Sequence, residues 1–414
     1  MFDWYSSLSP SGRRTFWACC GGYALDAMDV QIYSFVVPTL IALWGISNTQ
    51  AGAVATVALI MSAIGGWGAG LLSDRFGRVL TLQITIGCFA LFTFLSGLTS
   101  NFGEILVTRG LQGLGFGGEW AAGSVLMAEV IAPRHRGRAV GFVQSSWSWG
   151  WALAAILATL MFSLLPQQIA WRMLFFIGIL PAGVIFFIRR LVPDPEVYTA
   201  SRAAGADHAP LLAIFKPGFL WVTVRGSVLA LGAQGGYYAI TTWLPTFLRT
   251  ERHLSVIGSG AYLGVIITGS FCGYIVSAYL NDLLGRRRTF LVFAVGSMAI
   301  ALGYTQIAIS DGLMLVLGFP LGFFASGIFS GMGALFTELY PTELRGSGQG
   351  FCYNFGRGFA ALFPVLVGYV AGFIPLGESV GLFAGGAYAL VVVAALLLPE
   401  TRGRELHSLA AAGD

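Results

Sequence analysis

Asp26 and Asp29 stand three residues apart in the apolar run "ALDAMDVQIYSFVVP", a spacing that puts both carboxylates on one face of a helix. Two carboxylates this close disfavour joint ionisation, so the pair is suited to holding and releasing a proton. A second apolar run, "RGLQGLGFGGEW", carries Arg109 and Glu119. An Asp and Arg pair that breaks and reforms with protonation would be a coupling device, and Arg109 is the natural partner of the Asp26/Asp29 face. Glu119 lies about 15 Å further along the same helix. Two readings of it stay open: a second proton stop, or a carboxylate capped by neighbouring backbone and indole groups. Arg357, with Asn354 and Tyr353 within one turn, offers a guanidinium fork that suits a carboxylate. That carboxylate is either a bound anion or a side chain of the other half of the chain. Gln234 and Tyr237 occupy the positions equivalent to Asp26 and Asp29 in the second half. Tyr33, Trp120, Trp147, Trp151, Tyr237, Tyr238 and Tyr353 are candidates to line a cavity. Trp147 and Trp151 share a helix face and could sandwich a flat acid, although in a chain with 14% aromatic residues most rings are packing.

The elements that position these groups are set by composition. The chain has 414 residues, 56% hydrophobic and 10% charged, where soluble domains run near a quarter charged. Apolar windows fall at 16–44, 50–72, 79–98, 104–131, 139–164, 171–190, 219–248, 256–280, 289–309, 312–340, 347–374 and 380–398, each near or above the ~20 residues that span a bilayer core. Twelve transmembrane helices are expected, in an all-α integral membrane fold. The first is too long for a cleaved signal peptide and carries Asp26 and Asp29 in mid-span. A charge at mid-bilayer costs about 2.5 to 3.5 kcal/mol even on a forgiving scale, so each one is a functional candidate. Arg225 sits nearer a helix end, where snorkelling accounts for it equally well. Trp17, Trp44, Trp171 and Trp221 fall near helix ends and read as interface anchors. Of 23 Lys and Arg, only Arg172, Arg249 and Arg252 fall in connections on one side; Arg109, Arg225 and Arg357 lie inside helices, and the rest share the other side. The positive-inside rule then places both termini in the cytoplasm. The five cysteines form no CxxC pair and lie in apolar segments, and the four histidines fall in polar connections. No metal site is expected, and an intramembrane proton relay must use carboxylates.

The halves repeat. "SDRFGR" at Ser73 to Arg78 matches "NDLLGR" at Asn281 to Arg286, "EVIAPRHRG" at Glu129 matches "ELYPTELRG" at Glu338, and Pro38 matches Pro245, all at an offset near half the chain length. A duplicated bundle enclosing a midplane site follows. The expected organisation is a six-helix bundle over 1–190, a cytoplasmic linker over 191–216, a second six-helix bundle over 217–400 and a cytoplasmic tail over 401–414.

"GLLSDRFGR", Gly70 to Arg78, resembles the loop signature G-x-L-x-D-R-x-G-R of the major facilitator superfamily, with an echo at Asp282, Gly285 and Arg286. The second copy departs from it with Ala278 for the first glycine and Leu283 for the arginine. The resemblance implies that Gly70, Asp74, Arg75, Gly77 and Arg78, with their second-half counterparts, lock the cytoplasmic helix ends together, and that Glu129, Arg136, Glu338 and Arg345 are their partners. The alternative is that these charges anchor loops at the headgroups. "ALDAMDVQIYSFVVP", "RGLQGLGFGGEW", "YYAITTWLPTFL" and "PETRGREL" together resemble the metabolite:proton symporters, a subgroup that includes aromatic-acid, niacin and sialic-acid carriers. This implies a multi-pass inner-membrane symporter, monomeric, taking a small organic anion with protons and no other cofactor. An aromatic or related monocarboxylate is the first expectation and a sialic or sugar acid the alternative.

Other classes fit less well. An efflux antiporter of this fold usually carries a Gly- and Pro-containing motif on its fifth helix, and "AVGFVQSSWSWGWALAAIL" has no proline. A transport-inactive sensor needs a sizeable soluble domain, for which linker and tail are too short. Gly113, Gly115 and Gly118 spell the G-x-G-x-x-G of a dinucleotide loop, but no soluble strand and helix unit surrounds them, so they read as the small face of a helix. No basic run with interleaved aromatics points to nucleic acid, and nothing in the apolar spans points to an enzyme.

Overall fold

The computed structural model describes residues 3–6, 8–76, 78–130, 136–179, 183, 214–254, 256–307, 309–340 and 344–402; at 3–4, 11, 70–76, 78–79, 82, 118–130, 136–137, 140, 256–257, 259, 337 and 345–346 it describes the backbone alone. No strand occurs among the described residues. After a short N-terminal helix (Asp3–Ser6), the elements are α1 (Pro10–Trp44), α2 (Asn48–Phe76), α3 (Arg78–Ser96), α4 (Phe102–Val130), α5 (Arg136–Leu164), α6 (Gln167–Ile177), α7 (Pro217–Thr250), α8 (Val256–Leu284), α9 (Arg286–Gln306), α10 (Asp311–Leu339), α11 in two pieces, α11a (Arg345–Ala360) and α11b (Leu362–Val370), and α12 (Leu376–Leu397). Among the described residues, seven helices are by themselves long and apolar enough to cross a membrane.

Local chemistry explains where the helices begin, stop and break. Ser9 caps α1 by accepting from Gly12 N–H at 3.0 Å, and Pro10 at the first turn needs no acceptor. The helix therefore starts before the apolar window does. Gly45, at φ 64°, ends it in the left-handed conformation with its N–H on Ile41. The twelve windows are met by twelve elements, but the eleventh is interrupted at Ala361. Pro364 is the cause: it has no N–H to return to Ala360 four residues earlier, and its ring crowds that carbonyl.

The packing repeats with the duplication. Helix α2 packs on α4, α1 on α5, α3 on α4 and α3 on α6; α8 packs on α10, α7 on α11a, α9 on α10 and α9 on α12. Each second-half pair is a first-half pair with six added to both numbers. The two sets meet where α5 packs on α8, α2 on both pieces of α11, and α1 on α7. The glycines of α4 serve this packing. A Cβ at Gly113 would run into the Ala58 carbonyl and one at Gly117 into the Ser62 carbonyl, both on α2. Gly113 and Gly115 thus lie within a continuous helix whose small face admits a neighbour, as interhelical contact in lipid requires.

The exterior and interior are sorted as for a lipid solvent. Trp67, Leu160, Val316 and Leu396 are exposed, whereas Asp29, Arg109, Gln112, Gln234 and Arg357 are buried. Trp17 and Trp221 are exposed at helix ends. Trp171 corrects the expectation of an interface anchor: it is 1% exposed, edge-on to Trp44 at 5.4 Å and beneath the Arg172 guanidinium at 4.4 Å. Proximity to a helix end does not fix which way a ring turns.

Candidate functional site

Asp29 on α1 is fully buried and accepts three hydrogen bonds. Arg109 Nη1 donates at 3.0 Å and Gln112 Nε2 at 2.8 Å to Oδ2, while Thr93 Oγ1 on α3 donates at 2.9 Å to Oδ1. Arg109 and Gln112 are three apart on α4, so one helix face delivers both donors. The guanidinium carbon lies 5.6 Å from the ring centres of Tyr33 and Phe175, and its Nε has no hydrogen-bond partner. Removing either charge of such a pair leaves the other uncompensated in a dry interior, at a cost of about 3–5 kcal/mol. Asp26, one turn away on α1, is also buried.

Arg109 and Gln112 also form part of a cavity wall. About 540 Å³ of empty space is bounded by Gln31, Tyr33 and Ser34 of α1, Ala55, Ala58 and Leu59 of α2, Arg109, Gln112 and Phe116 of α4, Trp147 of α5, and Tyr237, Tyr238, Thr241 and Thr242 of α7. The lining is that expected of a small-molecule site: mostly aromatic and apolar, with a few convergent polar groups. Across it Trp147 Nε1 donates to Tyr237 Oη at 2.6 Å, joining the first six helices to the last six.

Arg357 on α11a stands next to this wall. Its guanidinium carbon is 5.2 Å from the centre of Phe116, a wall residue, and 4.9 Å from that of Tyr353, whose hydroxyl accepts from Nη2 at 3.4 Å. Among the described residues no carboxylate lies within ion-pair distance of it, and its Nε is without a partner. The other second-half candidates are engaged with the protein. Gln234 Nε2 donates to the Tyr353 carbonyl at 3.0 Å and Gln234 Oε1 accepts from Tyr238 Oη at 3.3 Å, while Asn354 Nδ2 donates to the Gly350 carbonyl at 3.0 Å. Trp151 is buried edge-on to Tyr237 at 6.4 Å. Neither Arg357, Asn354, Tyr353, Gln234 nor Trp151 bounds the cavity. The side chains of Glu119 and Trp120 lie outside the described residues.

On the arginine-rich face, Arg286 holds the second-half loop together. Its guanidinium donates to Glu338 at 3.1 and 2.7 Å, to Asp282 at 2.9 Å and to the Asn281 carbonyl at 2.7 Å. Glu338 also accepts from Thr401 Oγ1 at 2.6 Å. Glu400 accepts from the backbone N–H groups of Arg286, Arg287, Thr401 and Arg402. Gly285 is required here twice over, by its φ of 93° and because a Cβ would lie 2.6 Å from Glu400. "PETR" after α12 is thus part of the same network as "NDLLGR". Of the first-half counterparts, Gly70 is described in backbone alone, within α2, while Gly77 and the side chains of Asp74, Arg75, Arg78, Glu129 and Arg136, with that of Arg345, lie outside the described residues. Arg225 donates to the Leu397 carbonyl at 2.9 Å, capping the last turn of α12.

At the opposite face the halves are in backbone contact. A Cβ on Gly52 of α2 would collide with the Pro364 carbonyl and one on Gly368 with the Asn48 carbonyl, while Val365 N–H donates to Thr56 Oγ1 at 3.3 Å.

Gln31, Thr93, Gln112, Phe116, Thr241 and Thr242 were not singled out by the sequence. Gln112 had a signal, since it sits one turn from Arg109. Gln31, whose amide nitrogen is buried without a partner, had none.

Two six-helix repeats around a buried, charged and aromatic cavity define a polytopic membrane carrier. The chain belongs to the Major Facilitator Superfamily, whose model matches residues 19–312 and 259–413. It is 43% identical over 409 residues, 99% of this chain and 95% of the relative, to a protein of Cupriavidus pinatubonensis named a probable 4-methylmuconolactone transporter. It is 32% identical over 393 residues, 91% and 92% of the two chains, to the cis,cis-muconate transport protein of Acinetobacter baylyi. Its fold matches the proton:xylose symporter XylE, solved with 6-bromo-6-deoxy-D-glucose, at a TM-score of 0.78 over 97% and 98% of the chains with 19% identity. It is a multi-pass membrane transporter and not an enzyme.

Proposed function

We propose that this transporter is a symporter that imports a small organic anion, an aromatic or related planar carboxylate, together with protons. The observation that carries this reading is that Arg109 is shared between Asp29 and the cavity wall. With Asp29 ionised, Arg109 is neutralised. A proton on Asp29 leaves the guanidinium uncompensated against the cavity, and an organic anion there restores the balance. Proton and anion then each favour the binding of the other, and that coupling is reciprocal by linkage. Cooperative binding of this sign supports symport; antiport requires competition for one group. Arg357, an unpaired cation behind Phe116 and beside Tyr238, adds to the positive potential of the site. The ring-rich wall favours a flat, apolar body on the anion.

Of the relatives, one is named for 4-methylmuconolactone and one for cis,cis-muconate, both small and non-aromatic, which supports a small organic substrate rather than an aromatic ring. The halves, residues 1–190 and 217–400, rock about the site, with both termini in the cytoplasm by the distribution of arginines. Uptake of radiolabelled benzoate, nicotinate and cis,cis-muconate into proteoliposomes, with an inward proton gradient and after its collapse by a protonophore, tests the reading. Gradient-dependent accumulation of at least one acid is expected. Accumulation indifferent to collapse of the gradient would remove proton coupling.

A further inference from the structure

A second cavity lies at the face opposite the arginine-rich one, between the two halves. It is a narrow, partly open pocket, with about 330 Å³ of space that includes open solvent, lined by Phe35 of α1, Ala158, Thr159 and Phe162 of α5, Pro245 and Arg249 of α7, and Gly260 and Leu263 of α8. Arg249 is its only charged lining residue, and its guanidinium carbon is 5.9 Å from the Phe162 ring centre across the interface. Three arginines occupy this face. Arg172 donates to the Gly97 carbonyl at 2.8 Å, and Arg252 to the Ile309 carbonyl at 2.7 Å and Asp311 at 3.0 Å. Arg249, half-buried in the last turn of α7, has no hydrogen-bond acceptor or carboxylate among the described residues. Of the acids at this face, Glu104 accepts from Ser100 and Asn101, Glu251 from the backbone N–H groups of Leu376 and Gly377, and Asp311 from Arg252, and Glu378 forms no ion pair with Arg249.

The two cavities share helix faces. On α7, Tyr238 and Thr242 line the central one, and Pro245 and Arg249 line the second. Steps of four, three and four residues keep these side chains on one stripe, and Thr242 and Arg249 are separated by roughly 10 Å along the axis. On α1, Ser34 lines the central cavity and its neighbour Phe35 the second.

We infer that the second cavity is an external capture site for carboxylates with an apolar or aromatic body, in which Arg249 binds the carboxylate and Phe162 and Phe35 take the body before the anion moves down α7. It rests on the proposed class of transported anion for its purpose, but the site itself is tested without transport. A thiol is introduced as Thr159→Cys, or as Ala158→Cys should the first variant be poorly folded, in the full-length protein in membranes. Its modification by an anionic and by a cationic methanethiosulfonate is followed by mass spectrometry of the labelled peptide. The anionic reagent is expected to react about tenfold faster than the cationic one, benzoate to slow both, and Arg249→Gln to abolish the preference and the protection. Equal rates for the two reagents, or a thiol that benzoate does not protect, would overturn the assignment. A charge preference and protection in a protein that shows no gradient-driven uptake would leave the capture site standing and remove the symport reading.

Discussion

Replacing Asp29 by Asn removes a negative charge that lies 3.0 Å from Arg109 in a site with no exposure to solvent. At an effective dielectric constant of about 20, that contact is worth roughly 5 kcal/mol of gross Coulomb attraction. Asn keeps one useful acceptor for Thr93 or for the α4 donors, but its amide cannot accept from Arg109, Gln112 and Thr93 together. The substitution therefore mimics the protonated carboxyl: neutral, with the guanidinium released toward the cavity. Only the part of the released interaction that an anion recovers appears in its affinity, and linked sites typically show ~1–3 kcal/mol, or about 5- to 150-fold. Isothermal titration with benzoate in detergent provides the assay. Wild-type affinity should rise as the pH falls, whereas Asp29→Asn should bind at all pH values as tightly as the protonated wild type. In proteoliposomes the variant should retain anion counterflow and lose accumulation driven by a proton gradient. A variant whose affinity keeps the wild-type pH dependence, or which still accumulates anion down a proton gradient, would show that Asp29 does not carry the coupled proton.

Arg357→Gln should weaken anion binding by about five- to tenfold, the low end for linked sites, because it removes a positive charge that stands behind the cavity wall without touching an occupant, while the pH dependence set by Asp29 persists; unchanged affinity would leave Arg357 a packing cation. Gly52→Ala should prop apart α2 and α11b, because the new methyl group meets the Pro364 backbone rather than a side chain that can turn away. Greater thiol accessibility at cysteines introduced near Thr56 is the expected readout, with no change counting against a backbone seal. Although burial pushes the Glu400 carboxyl up, the N–H groups of Arg402, Arg286, Arg287 and Thr401 outweigh it and hold the carboxyl below its ordinary value of 4.5. A depressed carboxyl contributes stability above its unfolded pKa and loses it as the pH falls through the folded one. Glu400→Gln should therefore lower Tm at neutral pH, with the deficit closing below about pH 4.5; a pH-independent deficit would mean that the charge is not what these donors recognise.

The fold was legible because lipid imposes a length and a polarity on every span, and because duplication left its markers at one offset. The meeting of Asp29 and Arg109 was legible for the same reason: two charges within apolar runs need each other more than they need anything nearby. What hydropathy does not encode is azimuth. Arg357 lies in mid-helix as its depth along α11 required, yet it stands behind Phe116 rather than on the cavity wall, since rotation about the axis is set by the helices packed against α11a, among them α7 and α2. Gln31 escaped notice because an uncharged amide costs too little in a membrane helix to mark its own position, and Trp171 because a ring at a helix end can turn inward as easily as toward headgroups. The interruption of α11 needed Pro364 to be weighed as a helix breaker within an otherwise unbroken apolar run.

The repeats are alike in packing and unlike in chemistry, and the difference bears on how an occupant moves the protein. The central cavity is bounded by α1, α2, α4 and α5 of the first half but by α7 alone among the helices of the second. An occupant held at Arg109 therefore rests on the first half and communicates with the second mainly through Tyr237, Tyr238, Thr241 and Thr242. Tyr237 is already tied to Trp147 by a 2.6 Å hydrogen bond in a dry site, so a ligand that inserts between these rings must supply a replacement acceptor for the indole N–H and a partner for the phenol, or leave each unsatisfied at about 1–3 kcal/mol. A carboxylate or ring hydroxyl can do so; a purely apolar ring cannot. On the proposed reading, a ligand that inserts between Trp147 and Tyr237 is therefore favoured when its flat body carries a polar substituent.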